Sequence, residues 1–189
     1  KITSYADELL DSLEELDWPE NVKLMQKNWI GKSYGAEVEY KMEEGNDSLK
    51  TFSTRPDTIY GVTFLAISPN HQLSINLSKT DENIKLFLEK CKDLKTAEAD
   101  IAKAEKLGID TGKKVIHPIT KEKLPVWIGN FVLLDYGTGV VMGVPGHDER
   151  DFEFATKYKI NIKQVIKNDK DDLPISDKGI LINSDNFDG

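Results

Sequence analysis

A single cysteine, Cys91, is present among 189 residues. That excludes an internal disulfide and any metal site built from several cysteines. No apolar run approaches the ~20 residues needed to cross a bilayer, and no secretory leader opens the chain, so no membrane contact and a reducing, cytoplasmic setting are expected. Only three histidines occur, none at ligand spacing from another, which leaves little for a metal to bind. No serine sits in the Gly-x-Ser-x-Gly elbow of a nucleophilic hydrolase. Positive charge is in deficit, with 25 Lys and Arg against 33 Asp and Glu and a net charge of −8. Binding nucleic acid by phosphate neutralisation alone is therefore disfavoured; one would have to enter a small pocket, or be held from elsewhere. What is present is an ordinary folded composition, 39% hydrophobic and 31% charged. At this length one domain is expected, and there are no repeats or low-complexity stretches.

The first 31 residues read as helical. Ala6, Leu9, Leu10, Leu13 and Leu16 recur at three- and four-residue steps, and Ser4 with Asp7 has capping-box spacing. Pro19 suits a first helical position, Val22, Met25, Trp29 and Ile30 form a second stripe, and Gly31 ends it. These two helices could pack together or serve as a connector to something larger; residues 1–31 are expected as a helical connector and residues 32–189 as the barrel core with inserted helices. From Ala36 the period changes to two, through Val38, Tyr40 and Met42, with a turn at Gly45-Asn46-Asp47 and a return strand over Leu49–Ser53. Further strands are expected at Thr63–Ile67, Lys114–His117, Pro125–Ile128, Phe131–Leu134 and Val140–Val144, then at Lys163–Ile166 and Ile180–Ile182. Helices are expected after Asp81, with Ile84, Phe87, Leu88 and Cys91 on one face, over Thr96–Leu107, and over Asp148–Tyr158. The sum is a strand-rich α+β chain whose many short strands suggest a barrel or sandwich.

Two peptides carry unusual chemistry. In Ser53-Thr54-Arg55-Pro56-Asp57-Thr58, three hydroxyls, a guanidinium and a carboxylate follow a strand, and Pro56 stiffens the bend. Hydroxyls both donate and accept, so such a loop suits ribose or an ester carbonyl, although the same residues also serve as ordinary turn caps. The second runs from Tyr136 through Gly137-Thr138-Gly139 and Val144-Pro145-Gly146-His147-Asp148 to Asp151. Its glycines are a poor dinucleotide loop, because Val140-Val141-Met142 continues as strand instead of opening a helix. Asp148 can be read as a helix N-cap, and Asp151 as a carboxylate able to pair with an ammonium group. Cys91 lies on an apolar helix face and reads as packing; His71 and His117 read as surface or satisfied core residues.

These same peptides carry a resemblance. Thr54-Arg55-Pro56-Asp57-Thr58 resembles the threonine-rich motif of leucyl-tRNA synthetase editing domains. Gly137-Thr138-Gly139 through Asp148, with Asp151-Phe152-Glu153-Phe154-Ala155, resembles that family's glycine-rich strand and aspartate helix. Asn28-Trp29-Ile30-Gly31, Thr111-Gly112, His117-Pro118 and Pro125-Val126-Trp127 extend the likeness over nearly the whole chain, in the bacterial form. It implies a small β-barrel with peripheral helices and an aminoacyl-tRNA deacylase activity. The implied substrate is the 3′-terminal adenosine of leucine tRNA carrying isoleucine, methionine or norvaline, and the implied partner is the rest of the synthetase in cis. Both ATP-binding signatures of the synthetic domain are absent from the sequence. The resemblance therefore implies no ligase activity for these residues, and no cofactor for editing; ATP and magnesium belong to the synthetic domain.

The resemblance also implies roles. Asp151, with an ordinary aspartate pKa near 3.9 and hence ionised, would hold the α-ammonium. Thr58 would exclude leucine by steric clash. Ser53 and Thr54 would position the ester or the water, and Arg55 would support the loop. Leu133, Tyr136, Met142, Val144, His147 and Asp148 would line the substrate pocket. No metal is implied. Two positions depart from the family's usual residues: Ser53 replaces threonine but keeps the hydroxyl, and Gly143 replaces alanine with little expected consequence. A binding-only module for aminoacyl-adenosine, a free-standing deacylase and a mere structural connector remain open on the residues alone.

Overall fold

The alternating residues of Ala36–Met42 (β1) and Ser48–Ser53 (β2) pair as an antiparallel hairpin, with Tyr40 opposite Leu49. Tyr40, Leu49 and Thr51 turn inward and are buried, while Lys50 and Glu37 remain outside and pair at 2.8 Å. The computed structural model describes residues 2–92, 105–134, 137–169 and 172–189. By its contacts the chain divides after Tyr34 into two compact units.

The first unit holds two helices, Ala6–Ser12 (α1) and Glu20–Ile30 (α2). A 3-10 turn over Ile2–Tyr5 precedes α1, and the residue at the N-cap of α1 is Tyr5, which makes no side-chain cap bond. Pro19 stands at the N-cap of α2, and Gly31 closes that helix in the left-handed conformation, its amide donating to the Lys27 carbonyl at 3.0 Å. The stripe of α2 is only partly covered, with Met25 and Trp29 exposed.

The second unit is built on a six-stranded sheet. Phe64–Ile67 (β3), Gly108–Ile116 (β4), Lys123–Gly129 (β5) and Val140–Gly143 (β6) join the hairpin in the order β2-β1-β4-β5-β3-β6. Among the described strands only β3 and β5 pair in parallel. All four residues of β3 are buried because both of its faces are covered, which is why its sequence is a continuous apolar run. Leu65 and Ile67 join one core, which also takes in Ile84 and Leu88 of Glu82–Lys92 (α4), together with Leu73 and Leu77 of Gln72–Leu77 (α3). Phe64 and Ala66 face a second core with Phe154, on Glu149–Tyr158 (α5).

The barrel expected from the strand count is open. Among the described residues no ladder joins the edge strands β2 and β6; the four residues of β6 pair with β3. The sheet is nonetheless curled enough to bring these edges close, and the Thr138 hydroxyl donates to the Lys50 carbonyl across the gap.

Other differences are local. Phe131–Leu134 is a turn-bearing loop, not a strand: the Val132 amide bonds back to the Gly129 carbonyl at 3.2 Å. The Asn130 side chain accepts from the Leu107 amide and donates to the Glu105 carbonyl, holding the loop in that bend. Helix α3 was not expected; His71 caps it, Nδ1 accepting from the Leu73 amide. Most of the expected helix at Thr96–Leu107 lies outside the described residues, and its described end, Glu105–Leu107, is not helical. Strand β4 begins at Gly108, six residues ahead of its expected start at Lys114. The last two strands are short, Ile166–Lys167 (β7) against Ile180–Leu181 (β8).

Gly143 matters more than the sequence suggests. A Cβ there would lie 2.2 Å from Phe64 Cε1, so alanine at this position requires the buried Phe64 ring to shift.

Candidate active site

One cavity of about 390 Å³ opens where three segments meet: the loop after β2, the Phe131–Leu133 bend, and the passage from β6 into α5. Ser53, Thr54, Arg55, Thr58, Leu133, Met142, Val144, His147, Asp148 and Asp151 all line it. Tyr136 lies outside the described residues. Phe52, Lys106, Phe131, Val132, Val141 and Arg150 also line it and carried no sequence signal of their own.

The loop after β2 is fixed by its own polar groups. Ser53 Oγ accepts from the Arg55 amide at 3.0 Å. The Arg55 guanidinium grips Asp57, with Nε 3.1 Å from Oδ1 and Nη2 2.9 Å from Oδ2, and Nη1 donates to the Ser176 carbonyl at 3.1 Å. This hydrogen-bonded pair holds the Asp57 carboxyl below its ordinary range and raises the guanidinium. Pro56–Gly61 then forms a 3-10 turn in which both the amide and the hydroxyl of Thr58 donate to the Arg55 carbonyl, at 3.1 and 2.8 Å. Thr58 is buried against the cavity. Thr54 is exposed, and among the described residues no group bonds its hydroxyl.

Opposite, β6 ends in a tight reversal. The Val144 carbonyl accepts from the amides of His147 and Asp148 at 2.9 and 3.1 Å. Asp148 caps α5, its carboxylate accepting from the amides of Arg150 and Asp151 at 2.9 and 3.1 Å. With the helix end satisfied, Asp151 is released from capping. Its Oδ2 accepts from the Val144 amide at 2.8 Å, and among the described residues nothing bonds Oδ1.

Burial first, and the neighbouring Asp148 second, push the Asp151 carboxyl up to about 7, against the opposing pull of the Val144 amide and Arg150. The expectation of an ordinary aspartate is thus corrected: burial holds this carboxyl far more readily protonated near neutral pH than an exposed one. A cation seated beside it would drive the proton off.

His147 was expected to bind substrate, yet both ring nitrogens are engaged by backbone. Nε2 accepts from the amides of Val165 and Ile166 at 2.8 and 3.1 Å, so the proton sits on Nδ1 and is donated to the Ile175 carbonyl at 2.9 Å. His117 has the opposite tautomer. Its Nδ1 accepts from the amides of Ile119 and Thr120, and Nε2–H donates to the Ile59 carbonyl at 2.9 Å.

Burial is the leading cause that lowers the pKa of both rings from the ordinary 6.5. Since the folded values lie below the unfolded one, the stability held by the neutral rings is complete above about pH 6.5 and is lost as pH falls below it. Asp151 works in the opposite sense, so an Asp151→Asn background leaves the histidines to set the slope, with His71, also lowered by burial, contributing in the same direction as His117 and His147. There we expect unfolding free energy to drop from pH 7 to pH 5, by at most about 1.4 kcal/mol per pH unit for each histidine. Urea titrations at the two pH values measure this; a flat profile would exclude the bracing role.

Comparisons with known proteins agree over most of the chain. The family model described as leucyl-tRNA synthetase, editing domain, matches residues 27–189. The leucine--tRNA ligase of Methylobacillus flagellatus is 54% identical over 196 aligned residues, covering 100% of this chain and 24% of that protein. The leucine--tRNA ligase of Hahella chejuensis is 52% identical, again over 100% of this chain and 23% of that protein. The chain therefore spans about a quarter of the length of these relatives. Among solved structures, the Agrobacterium radiobacter K84 agnB2 LeuRS in its ternary complex with tRNA and LeuAMS matches with a TM-score of 0.76. That match has 38% identity and covers 92% of this chain and 21% of the other.

Proposed function

The chain belongs to the leucyl-tRNA synthetase editing-domain family, and from that premise we propose that its cavity hydrolyses the ester of leucine tRNA charged with the wrong amino acid. The observation that carries this reading is convergence: the hydroxyl-bearing bend at Ser53–Thr58 and the acidic first turn of α5, far apart in sequence, face one cavity. Its volume of about 390 Å³ suits an aminoacyl group and part of a nucleoside. Isoleucyl, methionyl and norvalyl esters of the 3′-terminal adenosine are the proposed substrates. The need is physical, because one methylene gives a synthetic pocket only about 1–3 kcal/mol of discrimination and a second sieve must remove what passes.

In this reading Asp151 Oδ1 receives the α-ammonium, which also ionises the carboxyl. The free Thr54 hydroxyl meets the ester carbonyl or the attacking water. Ser53 and Arg55 hold the bend in place through the Arg55 amide, Asp57 and Ser176. Thr58, Met142 and Val144 bound the amino-acid side chain, and Leu133 the nucleoside. Asp148 and His147 act by fixing the α5 terminus and its neighbouring loops. Water oxygen adds to the ester carbonyl carbon, the bond to the ribose oxygen breaks, and that oxygen takes a proton. Free amino acid and tRNA with an intact 3′ end result. Positioning and electrostatics suffice for an ester already activated, with no covalent intermediate.

We further propose that the chain works in the cytoplasm as part of a full-length synthetase, with residues 1–31 as a connector whose exposed Met25 and Trp29 are covered by the remaining body. The deciding experiment is single-turnover deacylation of isoleucyl- and leucyl-tRNA by that synthetase. Rapid release of isoleucine with leucine retained is expected. Tight binding of the misacylated end without release would reduce the site to a binding module.

A further inference from the structure

Two side chains outside the cavity buttress two of the three groups proposed to bound the amino-acid side chain, Met142 and the Thr58 turn. Tyr40 on β1 is completely buried, and its hydroxyl lies 3.9 Å from Met142 Sδ. Burial raises that hydroxyl's pKa far above its ordinary value, so it remains a donor at any working pH. Met142 lines the cavity, and an unbranched thioether with three rotatable bonds makes a poor size filter unless something fixes its conformer. The edge of Tyr40 meets His117, with ring centroids 6.0 Å apart at 83°. His117, 1% exposed, extends from the end of β4 to donate from Nε2 to the Ile59 carbonyl, one residue beyond Thr58 in the same 3-10 turn. The amides of Ile119 and Thr120 hold the ring from the other side, so that donation is fixed in direction.

We propose that Tyr40 and His117 are specificity-determining positioning residues. Together they set Met142 and the Thr58 turn at a fixed separation across the pocket for the amino-acid side chain. This inference rests on the editing reading above. The buttress acts on the width of the sieve and leaves Asp151 and Thr54 untouched, so loosening it admits the branched cognate side chain without slowing removal of the noncognate ones.

The test compares deacylation of leucyl- and isoleucyl-tRNA by the full-length synthetase carrying the chain. Tyr40→Phe removes the hydroxyl alone. Loss of one hydrogen bond is expected to raise kcat/KM for leucyl-tRNA about 3–10-fold while isoleucyl-tRNA stays within about twofold. His117→Ala should raise leucyl-tRNA hydrolysis likewise, and His117→Gln, which returns an N–H near the Nε2 position, should restore discrimination in part. An unaltered leucyl-to-isoleucyl ratio in both Tyr40→Phe and His117→Ala, with isoleucyl hydrolysis intact, overturns the proposal. Equal loss of both activities together with a lowered Tm also overturns it, since that marks a purely structural role. Failure of the unmodified enzyme to hydrolyse isoleucyl-tRNA would instead remove the editing reading, and this inference with it.

Discussion

Asp151→Asn is expected to cut deacylation of isoleucyl-tRNA by about 10²–10³-fold while leaving the chain more stable at pH 8. The rate loss follows from removing one member of a buried charge pair with the substrate ammonium, worth about 2–5 kcal/mol. The stability gain follows from the free carboxyl. Its folded pKa of about 7 lies above the ordinary 3.8. Ionised Asp151 therefore penalises the fold, and the penalty grows from about pH 4 to pH 7 and is complete above that. Asparagine keeps an oxygen for the Val144 amide and carries no charge at any pH, giving a gain on the order of 2 kcal/mol at pH 8 that shrinks by pH 5. Asp148, not Asp151, caps α5, so no helix cap is lost. Urea unfolding at pH 8 and 5 reads the stability and single-turnover assays read the rate. Turnover at the unmodified rate would sink the ammonium assignment.

Why the sequence disclosed some of this and not the rest can be traced to particular residues. The hairpin of β1 and β2 was legible because alternation and the Gly45 turn are local, and β3 because an apolar run between turn residues marks a strand covered on both faces. Asp148 was legible as a cap for the same reason. The Phe131–Leu134 loop misled because its apolar residues look like a strand, whereas the bonds of Asn130 to Leu107 and Glu105 that bend it are 23 and 25 residues away. Openness of the barrel is likewise a matter of whether β2 and β6 form a ladder, which no local pattern encodes. His147 was placed in the right wall, but its role was not legible: its partners Val165, Ile166 and Ile175 are 18, 19 and 28 residues distant. The carboxyl of Asp151 could not be assigned its proton from sequence either, because burial and the proximity of Asp148 set it. Local chemistry thus indicates which residue types gather at the cavity; non-local packing decides which of them keep a free polar atom for a ligand.

Thr58→Ala is expected to open the sieve, so that correctly charged leucyl-tRNA is hydrolysed about 10–100-fold faster, the range that one methyl-sized contact supplies in a hydrophobic pocket. The side chain offers two possible barriers, and the geometry separates them. Its hydroxyl donates to the Arg55 carbonyl at 2.8 Å and so belongs to the turn, which leaves the methyl as the group able to clash with a substrate side chain. Thr58→Ser keeps the hydroxyl and deletes the methyl, whereas Thr58→Val keeps the branched bulk and deletes the bond to Arg55. If bulk is the barrier, serine behaves like alanine and hydrolyses leucyl-tRNA, while valine still spares it. The reverse pattern, with valine permissive and serine restrictive, would move the barrier from the methyl to the position of the turn itself. That would leave the hold of His117 on the neighbouring Ile59 carbonyl, rather than the shape of Thr58, as the part of the structure that keeps leucine out.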